Sequence, residues 1–374
     1  MLTFPNDTDE TVAATARRSL VPNTTRLGIL VAIAAAFLLS WWHLDEIPLV
    51  VIGQPSTTGL MQRQREAPFF ERLRATTRLP LRVTYRPLES VGFKDTYQLP
   101  MLQAGVFDLV SLRFLQNRPL EPALEGIDLA GLIPDFATAQ TVVRDYGPTL
   151  GRCLEERFSA KLLGMWTFGP QEIFTRAPVR QLDDLRGLRL RVGDASLSPA
   201  VTALGGIPVV MPFDDTVQAL SLGLVDGAIS SAASAINAGW TEHAPHYYPA
   251  VVHFGLNGYV VSLAKWNSLS RRQQTALQDA FDAYLAELWQ FAKTLHDDAK
   301  CCGRGLDCRH GPHRRLVLAE PSADDVVRFR EIVLAASFPA WEEKCRISRP
   351  GCVAAWRESL PASLVLPTDV QPPR

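Results

Sequence analysis

The chain has 374 residues, 47% hydrophobic and 21% charged, with a formal net charge of -1. These values suit two or three globular domains with a substantial core. They exclude a global field that would draw nucleic acid or an anionic membrane surface. Only six of the 38 basic residues are lysine, so an arginine carries no functional meaning by residue type alone.

The N-terminus reads as an address. "RLGILVAIAAAFLLSWWHLDE" holds 16 uninterrupted apolar or small residues from Leu27 to Trp42, with Arg17, Arg18 and Arg26 before it and Asp45 and Glu46 after it. A positive flank held inside and an exported remainder form a secretion-type pattern. The run is short of the roughly 20 residues that span a bilayer. No small-x-small cleavage site follows in "SWWHLDEIPLV", and no cysteine for lipidation precedes Cys153. The expectation is an export signal over residues 1–46, either removed or retained as a membrane anchor, which places the rest in the periplasm.

Past this segment the hydrophobic pattern alternates between strands and helices. "IPLVVIGQP", "LRVTYRPL" and "FDLVSL" read as strands, separated by the helix-like "GLMQRQREAPFFERLRATT" and "YQLPMLQAG". The same order returns with the strands "AKLLGMWTF", "GLRLRV", "IPVVMPF" and "DGAIS", and with the helices "DASLSPAVTALGG" and "DDTVQALSLGLV". Strands alternating with helices predict parallel α/β layers, here two lobes rather than one large sheet. Ser270 and Gln273 form a capping-box pattern, and Leu277, Phe281, Tyr284, Leu288, Phe291 and Leu295 then make one long apolar stripe. One more strand and a helix capped by "PSADD" follow.

An exported chain meets an oxidising compartment, and the cysteines fit that setting. Cys301, Cys302 and Cys308 lie in "CCGRGLDCRHGPH", and Cys345 and Cys352 in "CRISRPGC". His310 and His313 raise a metal alternative, but adjacent cysteines do not match zinc-ligand spacing. Gly303, Gly305 and Pro350-Gly351 suit tight closed turns, so Cys302–Cys308 and Cys345–Cys352 are the expected disulfides. Cys153 reads as a buried structural thiol.

Signatures of catalysis are missing: the sequence has no Gly-x-Ser-x-Gly, Walker A, Gly-x-Gly-x-x-Gly or His-Glu-x-x-His motif. His243, His246 and His253 are close in sequence, but Pro245 and Pro249 break any helix that would align them on a metal. "VDGAISSAASA" lacks the lysine of a phosphate cradle. Neither an enzymatic activity nor a cofactor or metal is expected. One residue does stand out by position. In "LRGLRLRVGD", Leu188, Leu190 and Val192 alternate with Arg189 and Arg191, so Arg191 ends a short half-buried strand. In open α/β sheets, ligands bind outside the carboxyl ends of strands.

From about Pro48 to about Lys300 the chain resembles the solute-binding proteins of tripartite ATP-independent periplasmic (TRAP) transporters, the dicarboxylate-binding family. The resemblance rests on "MWTFGPQEIFT", "DLRGLRLRV", "GGIPVVMPF", "GLVDGA" and "GYVVSLAKWNSLSRRQQTAL". It implies a two-lobed, clam-shell α/β binding protein with the long helix spanning both lobes. The first lobe would comprise 47–168 and 257–296, the second 169–256 and 297–374 with the disulfide-rich end. Arg191 would hold a ligand carboxylate with two parallel N–H donors, a fork that lysine lacks. Phe213 would pack on the ligand.

The sequence also departs from the family pattern. Gln171 stands where the family often has a second arginine, and Ser230 falls within Ile229-Ser230-Ser231 where Glu-Asn-Pro is common. Both can hydrogen-bond but add no charge. Asp194 replaces a small or amide residue and would disfavour a dianion if it faces the pocket. One clamp rather than two implies a monocarboxylate or a less charged ligand over a C4-dicarboxylate. The implied function is a monomeric receptor that captures a small organic acid and delivers it to membrane permease subunits of a TRAP transporter. The alternative is a membrane-anchored sensor or scaffold of the same fold.

Overall fold

A computed structural model describes residues 46–307, 309, 316–362 and 364, and the fold is that of the unit beginning at Pro48. The expected export segment, Cys308, His310, His313 and the Pro-rich C-terminus lie outside the described residues. Among the described residues, no helix is long and apolar enough to cross a membrane.

Two sheets carry the fold. The first has the order β2-β1-β3-β10-β4, built from β1 (Ile47–Gly53), β2 (Leu81–Pro87), β3 (Leu109–Arg113), β4 (Ala160–Thr167) and β10 (Leu256–Ser262). The second has the order β11-β9-β5-β8-β6-β7. It comprises β5 (Gln171–Thr175), β6 (Arg189–Val192), β7 (Ile207–Val210), β8 (Gly227–Ser231), β9 (His246–His253) and β11 (Val317–Leu318). The principal helices are α1 (Ala67–Thr77), α2 (Phe136–Phe158), α3 (Ser198–Ala203), α4 (Ala232–Asn237), α5 (Arg271–Gly303), α6 (Ala323–Ser348) and α7 (Cys352–Glu358).

The sheets are mixed rather than wholly parallel. β1 pairs with β3 in parallel, and β6 with both β7 and β8, as strand–helix alternation predicts. β10 runs antiparallel to β3 and β4, and β5 antiparallel to β8 and β9. The cause is the chain path. After β4 the chain passes directly into β5 of the other sheet, and after β9 it returns directly into β10. A strand that enters a sheet from the crossing point must run against those that end there. Both crossings are hydrogen-bonded to each other, with Phe168 N donating to Gly255 O at 3.2 Å and the Thr167 hydroxyl to Phe254 O. Pairs such as Arg113↔Asn257 and Gln171↔His253 follow, so the cleft-facing ends of both sheets meet at this hinge.

The long helix α5 starts at the expected capping box: Gln273 N donates to the Ser270 hydroxyl and Ser270 N to Gln273 Oε1. Its six predicted stripe residues are all buried. The first half packs on the first sheet, where Gly164 leaves room for Leu285 and Trp289 Nε1 donates to Met165 O at 3.0 Å. Ala299, near its end, belongs to the apolar cluster of the second sheet with Phe174, Ala235 and Tyr247. α5 thus spans both lobes.

The C-terminal segment, expected in the second lobe, is shared between the two. Phe329 and Val333 at the start of α6 pack with Leu190, Val192 and Tyr248. Further along, Phe338, Trp341, Cys345 and then Trp356 of α7 join the first lobe's core. The reason is local: both indoles find carbonyls there, Trp341 Nε1 on Pro122 O at 2.9 Å and Trp356 Nε1 on Gly126 O at 2.7 Å. The Cys345–Cys352 disulfide closes the turn between α6 and α7, while Cys153 is a buried free thiol and Cys301 a partly buried one.

One ion pair ties the lobes, and one carboxyl is buried beneath α5. Across the cleft, Arg118 pairs through Nε with Asp194 Oδ1 at 2.5 Å and through NH1 with Glu125 Oε2 at 3.3 Å. On the far side, Glu172 is fully buried beneath α5, accepting from the Tyr247 hydroxyl and lying 3.5 Å from His296 Nδ1. Burial pushes Glu172 up to about 7, against the opposing pull of Lys300 and Tyr247. Burial also pushes His296 down to about 3, so that ring is neutral.

Two outcomes follow from these features. A carboxyl raised from 4.5 to about 7 is neutral in the folded chain where it is ionised in the unfolded one. Its contribution to stability is therefore full below about pH 4.5 and is lost as pH rises through 7. Denaturant titration should find Glu172→Gln gaining on the wild type between pH 4.5 and 8, by on the order of 3 kcal/mol; equal slopes with pH would refute the assignment. For the cross-cleft pair, a double-mutant cycle of Arg118→Met and Asp194→Asn should return a coupling of about 1–3 kcal/mol. Additive effects would mean the pair does not hold the lobes.

Candidate ligand-binding site

The cavity occupies the junction where both sheets end. It offers about 80 Å3 to the centres of water-sized spheres, against the roughly 10–15 Å3 that one water needs on that measure. That is room for a small molecule and not for a polymer. Arg191, Phe213, Gln171, Asp194 and Ser230 all line it, so the fold brings together the five residues singled out from sequence.

Arg191 stands one residue from the end of β6, on a strand buried between β7 and β8. It is 5% exposed. Nε donates to Met211 O at 3.0 Å and NH1 to Ile229 O at 3.2 Å, which aims the guanidinium along the strand ends. Its Cζ lies 5.4 Å from the Trp240 ring and 5.9 Å from that of Phe213. No carboxylate pairs with it among the described residues. Burial, assisted by the nearby Arg113 and opposed by Asp214, pulls it down to about 9, still positive at neutral pH. By contrast Arg189, two residues earlier on the same strand, is fully paired with Asp226 at 2.8 Å.

The other predicted residues differ in what they offer. The Phe213 ring packs on Trp240 with centroids 4.8 Å apart, forming an apolar wall. Gln171 opens β5 and spends its amide N–H on Gly169 O at 2.9 Å. Ser230 is 4% exposed on β8 and borders the cavity with its neighbour Ile229. Asp194 requires a correction. It does border the cavity, but its Oδ1 accepts from Arg118 Nε and from Ser196 N at 2.8 Å. Its charge is therefore balanced from across the cleft and does not set the cavity against a dianion.

Among the other lining residues are Arg113, His253 and Asn257, together with the polar side chains of Thr58, Gln116 and Ser234. Arg113 is the last residue of β3, as Arg191 is the last but one of β6, and its NH1 pairs with Asp95 Oδ2 at 3.1 Å. The strand-end argument that selects Arg191 applies equally to "DLVSLRF", so this residue was readable. A second guanidinium thus faces the cavity, supplied by the first lobe rather than by position 171. His253 and Asn257 lie on the returning crossing, a placement that only the antiparallel strands create. Asp128, buried in the first lobe, accepts from Phe254 N at 2.7 Å and Leu256 N at 2.9 Å, and lies 3.0 Å from His253 Nδ1. That carboxylate pins the hinge.

Nothing in the cavity pairs a nucleophile with a base, and among the described residues no cluster of His, Cys, Asp and Glu could hold a metal ion. The arrangement binds and encloses. Residues 64–301 match the family model described as bacterial extracellular solute-binding protein, family 7. The C4-dicarboxylate-binding periplasmic protein of Rhodobacter capsulatus is 28% identical over 195 residues, 50% of this chain and 57% of that protein. The sialic acid-binding periplasmic protein of Vibrio cholerae is 22% identical over 61% of this chain and 72% of its own length. The chain thus spans little more than half of the first of these relatives. In fold, it is similar to a TRAP periplasmic solute-binding protein from Desulfovibrio salexigens (TM-score 0.71, 16% identity, 84% of this chain and 98% of that one). A Bordetella pertussis extracytoplasmic solute receptor is also similar (TM-score 0.68, 19% identity, 83% and 99%). With the two-lobed fold and a family match over more than half its length, the chain belongs to family 7 of the bacterial extracellular solute-binding proteins.

Proposed function

We propose that the chain is the extracytoplasmic receptor of a TRAP transporter. It would enclose a small carboxylate-containing organic acid between its lobes and deliver it to the membrane permease subunits. The observation that carries this reading is Arg191: a guanidinium 5% exposed, bordering a cavity, bonded to carbonyls and in an ion pair with no carboxylate among the described residues. A buried charge without a partner is costly, and a ligand carboxylate removes that cost. Relatives and neighbours agree with the class. They bind C4-dicarboxylates, orotic acid and pyroglutamic acid, all small carboxylic acids.

In this reading Arg191 holds the carboxylate, Phe213 packs on the ligand body, and Gln171 and Ser230 orient it. Asp194 acts as a strut to Arg118 rather than as a ligand contact. Closure would follow ligand binding because only the closed state offers both lobes' contacts at once. No covalent chemistry and no cofactor are called for. The receptor works as a monomer in the periplasm, and the apolar N-terminal segment directs export and tethers it if retained.

Thermal denaturation of the chain with mono-, di- and keto-carboxylates tests this reading. An acid at 100 times its Kd should add about 2.7 kcal/mol of stability. Arg191→Ala and Arg191→Lys should each weaken that acid by about 2–5 kcal/mol, since lysine cannot supply the planar fork. A shift that survives both substitutions would remove Arg191 from the site.

A further inference from the structure

The net charge of -1 is not spread evenly over the surface. One end of the first lobe, where its parallel strands begin, collects arginines from three elements. Gly53 closes β1, and a Cβ placed there would lie within 2.5 Å of the Tyr85 ring, near the end of the neighbouring β2. The two strands therefore finish together and start together, so Leu81 lies at the same end as Ile47. Helices α1 and α5 lead to that end as well. Arg65, just before α1, lies over the Phe291 ring at 4.1 Å, and Phe69 stacks on Tyr284 at 3.9 Å. Residue numbers rise along α1 as they fall along α5, so the helices are antiparallel. The close of α1 thus meets the opening of α5.

This end exposes Arg74 and Arg78 at the close of α1, Arg82 on β2, and Arg271 and Arg272 at the opening of α5. The turn after β10 returns to it, since Val261 pairs with Leu109 at the start of β3, and it brings the partly exposed Trp266. Against these stand Glu46 and Asp108 at the strand starts, the latter already bonded to Lys265 Nζ at 3.3 Å and to Val50 N at 2.8 Å. The exposed acids Glu71 and Asp279 lie about 10 Å of helix away from Arg78 and Arg272. Arg271 and Arg272 are the telling pair. They open a 33-residue helix with no acidic residue in its first turn, at the end whose dipole disfavours cations. Helix stability does not account for them there.

The chain also enters the lobe at this end. Five residues lead from Trp42, the close of the apolar run, to Ile47, a reach of at most about 18 Å. We propose that the strand-start end of the first lobe is a docking surface for a bilayer of anionic phospholipid headgroups. The guanidinium groups donate to headgroup phosphates, and Trp266 is of the type enriched at bilayer interfaces. The first lobe then rests on the membrane while the second opens and closes, whatever acid the cleft takes.

Co-sedimentation of the full chain with vesicles of phosphatidylglycerol or of phosphatidylcholine tests this surface. The apolar segment enters both, so the readout is the ratio of the two affinities. At low salt the wild type should prefer phosphatidylglycerol by at least about ten-fold, and at about 0.5 M salt it should lose most of that preference. Replacing Arg74, Arg78, Arg82, Arg271 and Arg272 together by glutamine should abolish the preference. Replacing Arg17, Arg18 and Arg26, which flank the apolar run, should leave most of it. Should the five-site variant fail to fold, Arg271→Gln with Arg272→Gln reads a smaller fall, at positions where the helix gains by losing a cation. No preference in the wild type, or one that follows the flanking arginines and survives both glutamine variants of the lobe, would overturn the proposal and assign these arginines to an acidic protein surface or to solvent.

Discussion

A buried cation without a protein counter-ion is the constraint around which this molecule is arranged. The second lobe holds Arg191 by two carbonyls and two aromatic rings, yet no carboxylate among the described residues forms an ion pair with it, Asp214 acting only from a distance. The charges beside it are paired: Arg113 with Asp95, Asp194 with Arg118, and Arg189 outside the cavity with Asp226. An isolated buried charge is retained only where something repays its desolvation. In a receptor, the ligand does so, and closure is favoured only when it is present.

The rest of the fold places that charge at the junction of the two sheets. Because the chain crosses between sheets directly, from β4 to β5 and from β9 back to β10, the two crossings lie side by side and form the hinge. The same backbone that bends also lines the cavity, through Gln171, His253 and Asn257. Ligand contact and hinge geometry are therefore one structural feature. α5 runs past both lobes, and its far end covers Glu172, a buried carboxyl near the beginning of β5. α6 likewise starts on the second lobe and ends in the core of the first, so lobe movement must be shared by two long helices as well as two crossings.

Much of this was legible in the sequence because the signals were local. The capping box at Ser270, the six-residue stripe of α5 and the alternation around Arg191 each depend on residues within a few turns of one another. Arg113 was equally legible by its position at the end of β3, but a missing arginine at position 171 drew attention to the wrong lobe. β5, β9 and β10 were not readable as cleft-forming strands: "HYYPAVVHFGLNGYVVS" is apolar almost throughout, and its meaning comes from antiparallel pairing with strands far away in the chain. Asp194 could not be read at all from its neighbours, since Arg118, which balances it, lies 76 residues earlier. The C-terminal segment was misplaced for a similar reason, because two carbonyls of the first lobe capture its indoles.

The central claim, that Arg191 is an uncompensated buried charge awaiting an anion, is tested most directly on the ligand-free protein. The measurement is the unfolding free energy of Arg191→Met against the wild type, after both are unfolded, dialysed and refolded to strip bound acid. The account predicts that the variant is the more stable of the two, by about 1 kcal/mol or more, because methionine fills the space without the charge. A variant destabilised by the few kcal/mol usual for disrupting a buried, satisfied side chain would contradict it.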